Sequence, residues 1–148
     1  MGYIEDLRSL VGNRPLILNS ALVIFKNEKG EVLLVFRNDT NNWGLIGGYM
    51  ELGETFEETV KREINEELNT SVNSLNLYGI FSGKEFFHEY PNGDKVFSVI
   101  ALFETNSLNE AISVDHQEVS KYQFFNKNDL PNNMTKVTKL LLQIYFKE

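Results

Sequence analysis

The chain has 148 residues, a net charge of −7 and no cysteine. This length suits one domain with a single core, so we interpret residues 1–148 as one domain, and the lack of cysteine excludes disulfides and thiolate metal sites. An acidic chain repels a nucleic-acid backbone, so we do not expect a polynucleotide partner, and a ligand rich in phosphate would need added cations.

No targeting or membrane-spanning pattern stands out in the sequence. No apolar run reaches the roughly 20 residues that a membrane helix needs. The N-terminus carries Glu5, Asp6 and Arg8 among its apolar residues, unlike the basic and then apolar pattern of a signal peptide. We therefore expect a cytoplasmic protein that does not contact a membrane.

The first part of the chain is predicted to contain a helix, two strands and a glycine-rich segment. Apolar residues at helical spacing predict a helix over Tyr3–Val11. Leu16–Phe25 is rich in apolar and β-branched residues and predicts a buried strand. Residues 31–37 predict a second strand after a turn at 27–30, so we expect these two strands to form a hairpin. The glycine-rich segment covers residues 43–49.

The remainder of the chain mixes strand and helix patterns. The predicted elements are a helix at 55–68, one or two strands within 72–86, a strand at 95–104, a strand at 122–125 and a helix at 134–146. A tight turn is predicted at 91–94, because its Asn-Gly pair tolerates positive φ. Together these elements predict an α/β fold of the α+β type, with a mixed, mostly antiparallel sheet between helices.

The helix at 55–68 carries the clearest local signals. Thr55 is followed three residues later by Glu58, the pattern of a capping box. Four apolar residues then recur at every fourth position and predict a buried stripe; they are Phe56, Val60, Ile64 and Leu68.

The acidic residues of this helix fall into two groups. Glu57 and Glu58 precede Lys61 and Arg62 by four residues, so both pairs are expected to form ion pairs along the helix. The second group lies near the negative end of the helix dipole, where like charges repel one another; it consists of Glu63, Glu66 and Glu67. Such a cluster indicates either a site for hard divalent cations or a plain acidic surface that contacts another protein.

The surrounding residues resemble the Nudix box. That motif has Gly, five residues, Glu, seven residues, Arg-Glu, an aliphatic residue, any residue, Glu-Glu, any residue, Gly and an aliphatic residue. The matching positions are Gly48, Glu54, Arg62, Glu63, Ile64, Glu66 and Glu67. Agreement at so many fixed positions makes the resemblance specific, although the motif covers only residues 48–70.

Three positions depart from the family pattern. Asn69 stands in place of Gly, but Asn also accepts the left-handed conformation that follows a helix end. Thr70 replaces an aliphatic residue, which implies a modest loss of packing. Ile46 stands where the family often has Pro, and none of the three changes removes a predicted metal ligand.

The resemblance implies a role for each residue of the motif. Glu63, Glu66 and Glu67 would bind Mg²⁺, with Mn²⁺ as a substitute, and the Gly47 carbonyl would be a backbone ligand. Glu54 would pair with Arg62 and hold the loop that contains Gly48 against the helix, since a guanidinium can orient a carboxylate through two hydrogen bonds.

The reaction also needs a carboxylate that accepts the proton of the attacking water. The family takes this base either from the box or from a later loop, which leaves Glu67 and Glu118 as alternatives here. We therefore take Glu63, Glu67 and Glu118 as the catalytic candidates. The alternative interpretation of Glu118 is an ordinary loop acid.

Several other residues are candidates for contact with a substrate. Arg37, at the end of its predicted strand, is assigned to a phosphate. Trp43, Phe86, Phe87 and Tyr90 are candidates for stacking on a base, although aromatic residues more often pack in a core. The two histidines, His88 and His116, receive no role.

The predicted function is Mg²⁺-dependent hydrolysis of the pyrophosphate linkage in a nucleoside diphosphate joined to another group. As the resemblance implies, the substrate is a small nucleotide: a nucleoside triphosphate, a nucleotide sugar or a dinucleoside polyphosphate. ADP-ribose is less favoured, because the proline found after the box in some ADP-ribose branches is missing between Thr70 and Pro91. The alternative is an inactive nucleotide-binding module of the same fold, and a homodimer stays open.

Overall fold

The computed structural model of the chain describes residues 2–106, 111–114 and 116–147. The described residues form three α-helices: α1 (Tyr3–Val11), α2 (Phe56–Leu68) and α3 (Lys136–Tyr145). Their strands are β1 (Leu16–Phe25), β2 (Val32–Arg37), β3 (Asn42–Gly44), β4 (Ile46–Tyr49), β5 (Asn76–Phe81), β6 (Phe87–Glu89), β7 (Lys95–Thr105) and β8 (Val119–Phe125). The predicted helices are thus confirmed, and the strand predicted at 122–125 begins three residues earlier.

The segment predicted as one or two strands, 72–86, contains only one of the described strands. β5 fills its centre, and a short 3-10 helix, Lys84–Phe86, closes it before β6 begins.

The strands form two separate sheets. In the larger sheet the order is β4-β1-β7-β5, with β6 also pairing with β7; in the smaller one it is β3-β2-β8. β1 and β7 run parallel, whereas the other strand pairs within the two sheets are antiparallel. The fold class is confirmed as mixed α+β, with the sheet divided into two parts.

The predicted hairpin between β1 and β2 is wrong. Both long sides of β1 are occupied, one by β4 and the other by β7, so β2 pairs instead with β3 and β8. A single bridge between Lys26 and Val32 is what joins the ends of β1 and β2. The tight turn predicted at 91–94 is confirmed, because β6 and β7 pair antiparallel across it and Gly93 has a φ of +92°.

Two apolar clusters hold the helices on the sheets. One cluster joins the buried stripe of α2 to both sheets and includes Val23, Leu33, Ile46, Val60 and Ile64. The other joins α3 to the opposite side and includes Ile24, Leu34, Ile100, Leu141 and Leu142. The sheets therefore lie between α2 and α3, and burial of these residues supplies the main stabilisation of the fold.

Local signals define both ends of α2 as the sequence predicts. The Thr55 hydroxyl accepts a hydrogen bond from the Glu58 amide at 3.0 Å, and the Glu58 carboxylate accepts one from the Thr55 amide at 2.8 Å. At the other end Asn69 adopts the left-handed conformation, with φ 51° and ψ 41°. The predicted ion pair between Glu58 and Arg62 is wrong, because Glu58 takes part in the cap. Arg62 instead forms ion pairs with Glu54, Glu63 and Glu66.

None of the helices in the described ranges is both long and apolar enough to span a membrane.

Candidate active site

The loop before α2 is fastened to the helix by one partly buried ion pair. Arg62 donates to both carboxylate oxygens of Glu54, from Nε at 2.7 Å and from Nη2 at 3.1 Å, and Nη2 also donates to the Tyr49 carbonyl at 3.0 Å. The Glu51 amide and the Thr59 hydroxyl complete the set of donors to Glu54. The hydrogen bond from Arg62 is the main reason that the pKa of Glu54 is lowered to about 2. We call this pair of residues, Glu54 and Arg62, the bracket.

Glu67 lies on the last turn of α2 and is buried against the glycine-rich strand. It is 2% exposed. Its Oε2 accepts a hydrogen bond from Arg37 Nη1 at 3.1 Å, and its Oε1 accepts one from the Gly47 amide at 3.4 Å. Burial raises the pKa of Glu67 to about 8 despite the nearby Arg37. The surroundings therefore disfavour its ionised form.

Glu63 lies one turn earlier and reaches the backbone at Gly48. A Cβ atom on Gly48 would lie 2.5 Å from Glu63 Oε2, so only glycine leaves room for this carboxylate. Arg62 Nη1 donates to the same oxygen at 3.1 Å. Burial, with the added negative charge of Glu66, raises the pKa of Glu63 to about 7.

Glycine is also required at Gly47, where the strand passes β1. Gly47 pairs with Leu22 and has a φ of +145°, and a Cβ atom there would lie 2.2 Å from the Ala21 carbonyl oxygen. The two successive glycines thus let the backbone of β4 approach both β1 and the acids of α2.

Glu66, the third predicted acid, has different surroundings. Its side chain is 47% exposed, and it pairs with Arg62 Nη1 at 3.2 Å. The structure therefore places Glu63 and Glu67 against the glycine-rich strand, whereas Glu66 lies at the surface beside the bracket. Arg62 links Glu66 to Glu63 through the same nitrogen.

Arg37 connects the end of β2 to the buried acid. Besides its hydrogen bond to Glu67, its Nε lies 3.6 Å from Asp39. Burial disfavours the charge of Arg37, but Glu67 and Asp39 outweigh this effect and raise its pKa. Arg37 also lines a large cavity that opens beside Glu63, which is where its predicted contact with a substrate would occur.

Glu118, the predicted acid of the later loop, lies at the edge of the same cavity and is exposed. The loop is held by Asn38, whose side-chain amide donates to the carbonyls of His116 and Gln117 at 3.1 and 2.8 Å. The backbone amide of Asn38 donates to the backbone carbonyl of Glu118 at 2.9 Å. Sequence reasoning missed Asn38, and its only signal was its position directly after Arg37.

A cavity of about 680 Å³ opens beside Glu63. The larger sheet and the start of α3 both contribute to its lining, which includes Leu22, His88, Tyr90, Ile100, Lys136 and Val137. Its volume lies within the range of about 300–1,000 Å³ that is typical of small-molecule sites.

Of the four aromatic residues considered for base stacking, Tyr90 is the one that lines the cavity. Trp43 packs edge-on against Phe36 and Phe125, and Phe87 packs against Phe97, while Phe86 is buried. Sequence reasoning left His88 without a role, yet it lines the cavity too. The alternation of strand β6 was the available signal, since residues two apart share a face.

A family model described as the NUDIX domain matches residues 17–143. The chain belongs to the NUDIX family. The match extends well beyond the motif itself, since it reaches from β1 into α3.

Similar NUDIX proteins carry several different activities in their names. The chain is 27% identical to the NAD-capped RNA hydrolase NudC of Vibrio atlanticus over 128 residues, which are 86% of this chain and 43% of that protein. It is 31% identical to the ADP-ribose pyrophosphatase of Methanocaldococcus jannaschii over 108 residues, 70% of this chain and 60% of that one. The chain thus spans about half the length of the curated relatives it matches.

The fold itself resembles solved NUDIX structures. The MutT NUDIX hydrolase of Burkholderia pseudomallei aligns with a TM-score of 0.74 and 23% identity, covering 86% of this chain and 97% of that one. At this identity the likeness concerns the fold alone.

The family typically uses divalent metal cations, and the acids of α2 fit such ions by their chemistry. Carboxylate oxygens suit hard cations. The raised pKa values of Glu63 and Glu67 mean that Arg37 and Arg62 only partly offset the unfavourable burial of the two negative charges. The absence of a side chain at Gly48 lets Glu63 approach the backbone. Within the described ranges, however, no three acidic or histidine side chains converge into a complete cation cage.

Proposed function

We propose that this NUDIX chain is a Mg²⁺-dependent hydrolase that cleaves the pyrophosphate linkage of a nucleoside diphosphate joined to another group. One observation carries the proposal: Glu63, which is partly buried and lines a cavity of nucleotide size, and Glu67, which is buried one turn further along α2, both have raised pKa values. Perturbed acids in a cleft are typical of active sites. Mn²⁺ would substitute for Mg²⁺, since both prefer oxygen ligands.

The names of the relatives support the same chemistry. ADP-ribose is a nucleoside diphosphate joined to a sugar, and the Methanocaldococcus jannaschii relative is named for its cleavage. NAD likewise contains two nucleotides joined by a pyrophosphate. Nucleoside triphosphates, nucleotide sugars and dinucleoside polyphosphates share this linkage, and the match to an ADP-ribose pyrophosphatase adds ADP-ribose to the candidates.

The residues that would hold the cations are Glu63, Glu66 and Glu67, together with the Gly47 carbonyl. When bound, divalent cations withdraw charge from the phosphates and lower the pKa of a bound water. The bracket holds α2 against the loop and so fixes the position of Glu63 along the strand that contains Gly48. Glu66 would join the site by releasing its hydrogen bond to Arg62.

Two further groups would serve the substrate directly. Arg37 lines the cavity and carries a permanent positive charge, so it would contact a phosphate while orienting Glu67. The base that accepts the proton of water would be Glu67 or Glu118. Glu67 is buried in the box, whereas Glu118 lies at the edge of the cavity on a loop that Asn38 holds.

The test is the release of nucleoside monophosphate from a panel of nucleotide substrates with Mg²⁺. We expect Glu67→Gln to lower kcat by more than about tenfold, because loss of a ligand or base raises the barrier by at least about 1.4 kcal/mol. Glu57→Gln, a change to an exposed acid of the first turn, is the matched control and should leave kcat unchanged. Equal turnover in both variants would refute the assignment.

A second candidate is a NUDIX-fold module that binds a nucleotide without cleaving it. The observation that favours it is the absence of a converged three-acid cage among the described residues, with Glu66 paired to Arg62. Binding of panel nucleotides without release of any product would support this function. A third interpretation, an acidic surface for another protein, would be supported if Mg²⁺ failed to raise the melting temperature.

A further inference from the structure

Two tyrosine hydroxyls meet on the wall of the large cavity. The hydroxyl of Tyr49, at the end of β4, lies 2.8 Å from that of Tyr90, which follows β6. Both side chains are half-buried and line the cavity. Neither hydroxyl has another hydrogen-bond partner among the described side chains.

Contacts on both sides hold the two residues in place. The Tyr49 carbonyl accepts a hydrogen bond from Arg62 of the bracket at 3.0 Å. The Tyr90 amide donates to the Asp94 carbonyl at 2.8 Å in the tight turn. His88 packs edge-on against the Tyr90 ring, with 4.4 Å between ring centroids. The pair is therefore built into the wall before any ligand arrives.

The chemistry of two paired phenols limits what they offer a ligand. Each hydroxyl has one proton to donate. One phenol uses its proton to reach the other, so one proton remains for a third group. The pair thus presents a single hydrogen-bond donor to the cavity, and this donor is polarised by the bond behind it.

The two rings in this part of the wall, Tyr90 and His88, are themselves uncharged at neutral pH. Burial raises the pKa of Tyr90 beyond its usual range, so the phenol keeps its proton. Burial, and then the charge of Lys136, lowers the pKa of His88, so the imidazole is neutral. The charged groups that act on these rings, Arg37, Asp39 and Lys136, come from other elements and also line the cavity. The cations Arg37 and Lys136 suit the phosphates, which leaves the neutral phenol donor for an uncharged acceptor.

We propose that the Tyr49–Tyr90 pair determines specificity by donating one hydrogen bond to an uncharged acceptor on the nucleoside part of the substrate. That acceptor is a carbonyl or ring nitrogen of the base, or a ribose oxygen. The inference rests on the proposed function for the identity of the ligand, but it concerns binding and not the cleavage step.

The test measures binding of AMP, GMP, CMP and UMP by calorimetry, and KM and kcat wherever a substrate is cleaved. For the tightest-binding nucleotide, Tyr90→Phe or Tyr49→Phe should raise Kd and KM about three- to tenfold, the effect of one neutral hydrogen bond. We expect kcat to change less than about twofold, because the pair does not act on the reacting phosphates. Tyr122→Phe is the matched control, since Tyr122 lies on β8, is 41% exposed and does not line the cavity.

The double variant Tyr49→Phe/Tyr90→Phe decides whether the hydroxyls act as a unit. If the two hydroxyls share one donor, the Kd of the double variant should be at most about twofold higher than the Kd of whichever single variant binds more weakly. Multiplied effects would mean that each hydroxyl contacts the ligand separately, which overturns the proposal. So would wild-type affinity in both single variants, or failure of the wild type to bind any of the four nucleotides. Binding that follows this pattern without any hydrolysis would defeat the proposed function and leave this inference supported.

Discussion

The carboxylate of the bracket, Glu54, and two carboxylates of α2, Glu63 and Glu67, are stabilised to different extents by the arginines around them. Arg62 donates two hydrogen bonds to Glu54, and the pKa of that acid lies far below its usual value. Glu63 and Glu67 each have one contact to an arginine, and their pKa values are raised. Glu54, which lies just before α2, thus has its charge satisfied by the chain itself, whereas for Glu63 and Glu67 on the helix the effect of burial outweighs the arginine contacts.

This difference separates a structural role from a functional one. A paired carboxylate stabilises the fold under ordinary conditions, whereas burial of a poorly compensated charge is unfavourable by up to several kcal/mol. A protein that keeps two such acids side by side, next to a cavity, sacrifices stability at that place. Added cations would remove the penalty, which is why the acids and not the bracket define the proposed site.

Loss of the bracket should have a large effect on stability. Arg62→Met keeps most of the length of the side chain but removes its hydrogen bonds to Glu54 and the Tyr49 carbonyl, so that Glu54 keeps only the Glu51 amide and the Thr59 hydroxyl as donors. The side chains of Arg62 and Glu54 are 30% and 17% exposed. We therefore expect the free energy of unfolding to fall by about 2–3 kcal/mol, near the lower end for a broken buried pair. Urea unfolding of the metal-free protein at pH 7 measures it.

Arg14→Met serves as the control for this change. Arg14 is exposed, so its replacement should alter the unfolding free energy by less than about 0.5 kcal/mol. If both variants proved equally stable, the bracket would not be a structural element.

The pH dependence of stability should separate the two groups of acids by sign. The pKa values of Glu63 and Glu67 are about 7 and about 8 in the folded chain, above the ordinary 4.5. The folded chain then binds more protons than the unfolded chain between these values, so the unfolding free energy falls as the pH rises from 4.5 to about 8. For the EDTA-treated protein we expect the free energy of unfolding, measured in urea, to fall by several kcal/mol over this range.

Glu54 contributes in the opposite direction. Its folded pKa of about 2 lies below the ordinary 4.5, so its stabilisation is complete above pH 4.5 and is lost as the pH falls towards 2. Glu67→Gln should flatten the neutral-to-alkaline part of the profile, and Glu54→Gln the acidic part. A wild-type profile that is flat between pH 5 and about 8 would show that the buried acids are compensated after all.

Local signals made α2 predictable in detail. Its cap needs only Thr55 and Glu58, its end needs the left-handed conformation of Asn69, and its buried stripe follows from spacing alone. The pairing of Glu54 with Arg62 also followed from the resemblance to the Nudix box. These features depend on residues close in the chain, or on a motif with fixed spacing.

The failures have a common physical cause, which is competition from partners other than the one that the local pattern favours. The turn after β1 favoured a hairpin with β2, but β7 and β4 occupy both sides of β1. Helical spacing favoured Glu58 as the partner of Arg62, but Glu54 reaches Arg62 from the preceding loop. The wall formed by Tyr49, His88 and Tyr90 needs the register of four strands, β4, β1, β7 and β6, which a single sequence does not define.

The smallest expected effect concerns the loop acid Glu118. The loop that carries it is held by the side-chain amide of Asn38, whereas Glu63 and Glu67 contact arginines. Asn38→Ala removes the hydrogen bonds to the carbonyls of His116 and Gln117. If Glu118 is the base, kcat should fall about three- to tenfold while KM stays near the wild-type value, as expected for a group that matters only in the transition state. Asn128→Ala, a change to an exposed turn residue, is the control for kcat. Wild-type kcat in Asn38→Ala would assign the proton to Glu67, because the buried acid would then work without the loop.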